Sequence, residues 1–148
     1  MLRAGDKAPD FNLPGVHGDI SLSELCASGR VILLFFSEAG TPDCSRQLQP
    51  FVADYPGIRE LGARVVAVSA DSIARLASFE ASLGIPFALA SDSDLSVARR
   101  YGVDDQREGK SRRAAFVVAG DRRLIHANPD YVPANPSEYE AAVLSLGE

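Results

Sequence analysis

Residues 31–47 read VILLFFSEAGTPDCSRQ, and the change of character inside this stretch sets the fold. Six apolar residues, Val31 to Phe36, run without interruption. Such a run suits a strand covered on both faces and is far too short to cross a bilayer. Gly40, Thr41 and Pro42 then break it, and Cys44 opens a segment with helical spacing. By residue type alone, Cys44 is open to four readings: inert packing, half of a disulfide, a metal ligand or a nucleophile.

Working outward, residues 64–69 and 115–118 repeat the strand character. Leu48, Phe51, Val52 and Tyr55 recur at helical spacing towards Gly62, with Pro50 expected to kink or shorten the first turns. A second helix is capped by Asp71 or Ser72, carries Ile73, Leu76, Phe79 and Leu83 near one face, and ends at Gly84. A short third helix covers 95–101 and stops at Gly102. Asn135, Pro136 and Glu138 are cap, first-turn proline and capping-box glutamate of a last helix striped by Tyr139, Ala142, Val143 and Leu146. Residues 113–118 and 124–128 read as a hairpin, its turn centred on Ala119-Gly120-Asp121 with glycine supplying the permissive backbone.

This order is a βαβ unit with a parallel crossover, then a helix, a hairpin and a closing helix. It predicts an α/β sandwich around a mixed central sheet. Sites in such sheets form at the carboxyl ends of the parallel strands, where Cys44 falls.

The 148 residues fit one domain, 1–148, with ordinary hydrophobic (46%) and charged (24%) fractions. The net charge of −5 and the shortness of the basic groups (Arg99-Arg100; Lys110 with Arg112 and Arg113) argue against a nucleic-acid partner. MLRAGDKAPDF carries no apolar signal core, so the expectation is a soluble, cytoplasmic protein with no membrane partner. In a reducing compartment Cys26 and Cys44 do not form a permanent staple. There is no CxxC, and His17 and His126 lie at no ligand spacing from the cysteines, so no metal is expected.

The setting of Cys44 favours reactivity. A thiol in a first helical turn feels the positive end of the helix dipole and nearby amides, which favour the thiolate. GDKAPDF near the start, TPDC after the strand, VVAVSADS, LGIPFALASDSDLSVARRYGV and RRAAFVV together resemble the peroxiredoxins of the AhpC/TSA superfamily. Within it the chain is most similar to the bacterioferritin-comigratory-protein, or Q-type, branch. The resemblance runs in register from about Gly5 to the final helix.

That resemblance implies a thioredoxin-like fold with an N-terminal extension, and a thiol peroxidase without metal or organic cofactor. It matches Cys44 to the peroxidatic cysteine, Thr41 to the motif threonine, Gln47 to a family Glu or Gln, and Arg113 to the arginine facing the thiolate. The implied partners are a peroxide and an outside thiol reductant (a thioredoxin, a glutaredoxin or a low-molecular-weight thiol), acting on a monomer or homodimer. Guanidinium suits the arginine's task better than an ammonium, because its charge is permanent and its donors form a rigid fork.

The chain departs from the family pattern at three points. Ser37 stands where the family has proline and Asp43 where the branch has glycine. Asp43 and Glu38 bring negative charge towards the thiol, which would raise its pKa, with Arg46 placed to offset them. Gln49 stands where much of the branch carries a resolving cysteine. Cys26 precedes the strand that Cys44 follows, so roughly 20 Å of strand separates them, against the roughly 7 Å between Cα atoms that a disulfide allows. The expectation is therefore a one-cysteine mechanism, with Cys26 acting only through local unfolding or between subunits. The rival readings are a general thiol–disulfide oxidoreductase and a non-catalytic binding module.

Overall fold

The computed structural model of the chain describes residues 1–147. Among these residues nine strands and six helices follow in the order β1 Asn12–Leu13, β2 Ile20–Ser21, α1 Leu22–Ala27, β3 Val31–Phe35, α2 Pro42–Ala53, α3 Tyr55–Glu60, β4 Arg64–Ser69, α4 Ile73–Leu83, β5 Ala88–Ser91, α5 Ser96–Arg100, β6 Asp104–Asp105, β7 Lys110–Ser111, β8 Ala114–Val118, β9 Leu124–Asn128 and α6 Pro136–Leu144. A short 3₁₀ turn, Ser145–Gly147, follows the last helix.

Five strands form the central sheet in the order β5-β4-β3-β8-β9. β3, β4 and β5 run parallel, while β8 is antiparallel to β3 and β9 to β8, so the sheet is mixed as expected. The alternation of β3 explains its unbroken apolar sequence. Ile32 and Leu34 join a core with Leu48 and Phe51 of α2, Ile58 of α3, Leu76 and Phe79 of α4, and Ala142 of α6. Val31, Leu33 and Phe35 face the other way, onto Leu22 and Cys26 of α1 and Val97 and Ala98 of α5. A strand covered on both faces has no polar side to show.

Several expectations are corrected. The helix expected to continue towards Gly62 is two helices, because the chain turns at Asp54, where both capping backbones meet. Pro50 sits near the end of α2 rather than in its first turns. In the β8–β9 turn the left-handed residue is Arg122 (φ 66°), not Gly120. A register shift at Val117/Val118 accompanies it, as in turns closed by a bulge. Asn135 caps α6 by accepting from the Ser137 amide, but Glu138 does not complete a capping box. Its carboxylate instead accepts from the Val132 amide and the Asn128 side chain. β5 lies outside the sequence-based expectations, since Ala88-Leu89-Ala90-Ser91 has no β-branched residue; register against β4 makes it a strand.

The parallel order and the short loops put the carboxyl ends of β3 and β4 at one edge of the sheet. The amino end of β8 arrives there too, since Phe35 is register partner to Ala114.

Candidate active site

β3 ends at Phe35, and Phe36 still donates its amide to Val68 before the chain leaves the sheet. Residues 37–41 then form a loop that Asp71, just past β4, holds in place. The Asp71 carboxylate is buried, accepts from the Ala39 amide (2.8 Å) and the Ser69 hydroxyl (2.7 Å), and faces Arg75 at 3.8 Å. Ser72 is the actual cap of α4, which frees Asp71 for this task. Glu38 in the same loop pairs with Lys110 of β7 at 3.2 Å and with Arg75 at 4.0 Å. Sequence reasoning missed both Asp71 and Lys110 as site-shaping residues. The available signal for Asp71 was an acidic residue directly after a parallel strand.

The loop delivers the chain into α2 with Thr41 at the N-cap and Pro42 in the first turn. Thr41 makes no side-chain cap bond; its hydroxyl donates to the Glu38 carbonyl at 3.0 Å. Cys44 lies in that first turn, fully buried. Its sulfur meets the Ser37 hydroxyl at 3.2 Å and accepts from the Glu38 amide at 3.5 Å. Burial pushes the thiol up. The Ser37 hydroxyl and the amides of Glu38 and Ser37 outweigh it, joined by the Thr41 hydroxyl when that group turns from the Glu38 carbonyl to the sulfur, and leave the thiol below its ordinary value of 9.0.

The carboxylates expected to oppose ionisation are already paired. Asp43 meets Arg46 at 3.4 Å and Arg113 at 3.6 Å, and Glu38 meets Lys110. The arginine thus reaches the site through Asp43. Arg113 immediately precedes Ala114, the partner of Phe35, and its side chain is about one third exposed while its Nε is buried without a hydrogen-bond partner. Alternation puts it on the same face of the sheet as Ala115 and Cys44.

Gln47 is not a solvated helix position. It is buried, and its amide donates to the Phe35 carbonyl at 2.9 Å, while its Oε1 has no hydrogen-bond partner. One donor therefore satisfies the last carbonyl of β3 and ties α2 to the strand end. Cys44, Thr41, Gln47 and Arg113 all gather at the Phe35 end of β3.

Cys26 does not. It sits in α1 beneath the opposite face of the sheet, and its carbonyl lies next to Gly120 in the β8–β9 turn, at the far end of β3. Burial pushes its thiol up to about 11. Both cysteines are free. Among the described residues, no group of three His, Cys, Asp or Glu side chains could hold a metal ion, and no helix is long and apolar enough to cross a membrane. His17 is exposed and bonds Glu80, and His126 lies in β9.

A cavity of about 490 Å³ opens beside the site, walled by Ser37 and Arg113 with Lys110, Arg112, Asp130 and Tyr131 among its lining.

The sequence matches the AhpC/TSA family over residues 4–127. It is 35% identical over 133 residues to a Mycobacterium tuberculosis protein provisionally named a peroxiredoxin, covering 85% of this chain and 84% of that one. Against peroxiredoxin Bcp of Escherichia coli the identity is 29% over 141 residues, covering 90% of each. Peroxidoxin BcpB of M. tuberculosis superposes with a TM-score of 0.91 at 27% identity, over 99% of this chain and 97% of that one. A cysteine-to-serine mutant of PrxQ from Xylella fastidiosa superposes with a TM-score of 0.85 at 23% identity, over 100% and 99% of the two chains, and supports the fold. A thioredoxin-like sheet with a buried, ionisable cysteine at its carboxyl edge, and a family match across most of the chain, lead to one conclusion: the chain belongs to the AhpC/TSA family and is a peroxiredoxin, a thiol peroxidase.

Proposed function

We propose that Cys44 is the peroxidatic nucleophile for hydrogen peroxide or organic hydroperoxides, and that an outside thiol resolves the product. The observation that carries this reading is the contrast between the two thiols. Cys44 meets the Ser37 hydroxyl, accepts from the Glu38 amide and is displaced towards thiolate, whereas Cys26 is displaced towards thiol on the far face of the sheet.

A peroxide enters along the cavity bounded by Ser37 and Arg113. The Cys44 thiolate attacks the terminal oxygen, an S–O bond forms and the O–O bond breaks. The electron pair leaves with the alkoxide or hydroxide, which takes up a proton from solvent, and Cys44 becomes a sulfenic acid. Thr41 holds one hydroxyl proton, now given to the Glu38 carbonyl, and rotation presents it to the sulfur or the peroxide. Arg113 supplies permanent positive charge for the departing oxygen. Gln47 fixes α2 against the end of β3 and so sets where Cys44 stands. An outside thiol then attacks the sulfenic sulfur, water leaves and a mixed disulfide forms. A second thiol releases Cys44.

The reading takes 1–148 as one catalytic domain, acting as a monomer or a homodimer. The need for an outside thiol suits the reducing cytoplasm.

Stopped-flow peroxide consumption tests the reading, with a thioredoxin, a glutaredoxin and a low-molecular-weight thiol supplied in turn. A fast phase abolished by Cys44→Ser is expected. A wild-type rate no better than free cysteine would make the domain a binding module instead.

A further inference from the structure

Two unusual residues meet around Cys44, and their geometry links them. The sulfur has a hydroxyl at 3.2 Å, that of Ser37, and an amide at 3.5 Å, that of Glu38. The guanidinium at this corner of the sheet, Arg113, is paired instead with the carboxylate of Asp43 at 3.6 Å, one residue before the cysteine. The other charged groups around the site are likewise committed. Arg46 meets Asp43, Lys110 meets Glu38, and Arg75 lies between Glu38 and Asp71. A thiolate buried at this position needs donors, and its cationic neighbours are engaged with carboxylates.

We propose that Ser37 is a catalytic residue of this chain: its hydroxyl donates to the Cys44 thiolate, and it does so in place of Arg113, which Asp43 holds. This deepens the reading of Cys44 as peroxidatic nucleophile and rests on it. The hydroxyl is suited to the task because it rotates freely, donates while the sulfur is thiolate, and accepts when the sulfur carries a sulfenic O–H. It also lines the cavity beside Arg113, so one residue touches both the sulfur and the space a peroxide would enter. Asp43, more than half exposed, keeps the guanidinium at the rim until a substrate oxygen competes for it. The two substitutions therefore act as one exchange of thiolate donor, from guanidinium to hydroxyl.

The test is the Cys44 pKa, read from thiolate absorbance and from the pH profile of peroxide consumption, in Ser37→Ala, Ser37→Thr and Asp43→Asn, with circular dichroism confirming the fold. Ser37→Ala is expected to raise the pKa by about one unit, and Ser37→Thr to restore it. Asp43→Asn is expected to lower it by releasing Arg113, and that lowering should vanish in an Asp43→Asn/Arg113→Gln double variant measured against Arg113→Gln. An unchanged pKa in folded Ser37→Ala overturns the role of Ser37. A lowering that survives without Arg113 overturns the exchange, because it is then direct relief from the Asp43 charge. Loss of the fast peroxide phase in Cys44→Ser but not in Ser37→Ala, at unchanged pKa, would sink this inference and leave the peroxidatic reading standing.

Discussion

Cys26 and Cys44 lie on opposite faces of one sheet. Cys26 packs with Val31, Leu33 and Phe35, and Cys44 with Ile32, Leu34 and Phe36, so the strand between them divides the two thiols as well as spacing them. A disulfide between them would require β3 to leave the sheet.

Recycling should therefore not need Cys26. Cys26→Ser is expected to keep most of the peroxide turnover supported by an outside thiol. After one equivalent of peroxide without reductant, intact mass should rise by about 16 Da, the sulfenic oxygen. An internal Cys26–Cys44 disulfide as the main product would overturn the one-cysteine mechanism.

Cys26 should instead appear in the stability at alkaline pH. Its folded value is pushed up from 9.0 to about 11 by burial, so the native chain holds the proton more tightly than the unfolded chain. This contribution is complete below the unfolded value and is lost as pH rises, by about 2 kcal/mol near pH 11. Tyr131, pushed up to about 12 by burial, acts with the same sign. Cys44 acts oppositely: its folded value is lowered, so its contribution is present above the unfolded value and is lost as pH falls through the folded one. Urea unfolding between about pH 8 and about pH 11 should show a steep loss that Cys26→Ala makes shallower.

Asp71 anchors the Cys44 loop to β4 through the Ala39 amide and the Ser69 hydroxyl. Asp71→Ala orphans both donors and should cost about 2 to 3 kcal/mol. Because the freed loop carries Ser37 and Glu38, the peroxide rate should drop with it. Chemical denaturation and stopped-flow assays on the same variant check both effects.

Gln47→Leu keeps roughly the same volume but removes the donor to the Phe35 carbonyl. A loss of about 1 to 3 kcal/mol in chemical denaturation is expected from leaving that buried acceptor unmet. A solvated helix position would move stability by no more than about 0.5 kcal/mol.

Much of the fold was legible because its signals are local. The run from Val31, the spacing of Leu76 and Phe79, and the Asn135-Pro136 start of α6 each act within a few residues. β5 was not legible, because its small residues become a strand only against β4. The break at Asp54 and the left-handed Arg122 were equally hidden, since neither carries a glycine at the point of the turn.

The sequence by itself determined the βαβ unit, the later hairpin and the closing helix, the family, and the cysteine at the end of a parallel strand. These follow from periodicity and from motifs read along the chain. Only the tertiary structure decided which charges meet. Asp43 neutralises Arg113, Lys110 crosses from a distant hairpin to Glu38, and Ser37 turns its hydroxyl onto the sulfur. The first two pairings depend on side chains far apart in sequence arriving at one sheet edge, whereas the ionisation of Cys44 is set by its burial and by the donors of the loop just before it, at Ser37, Thr41 and Glu38.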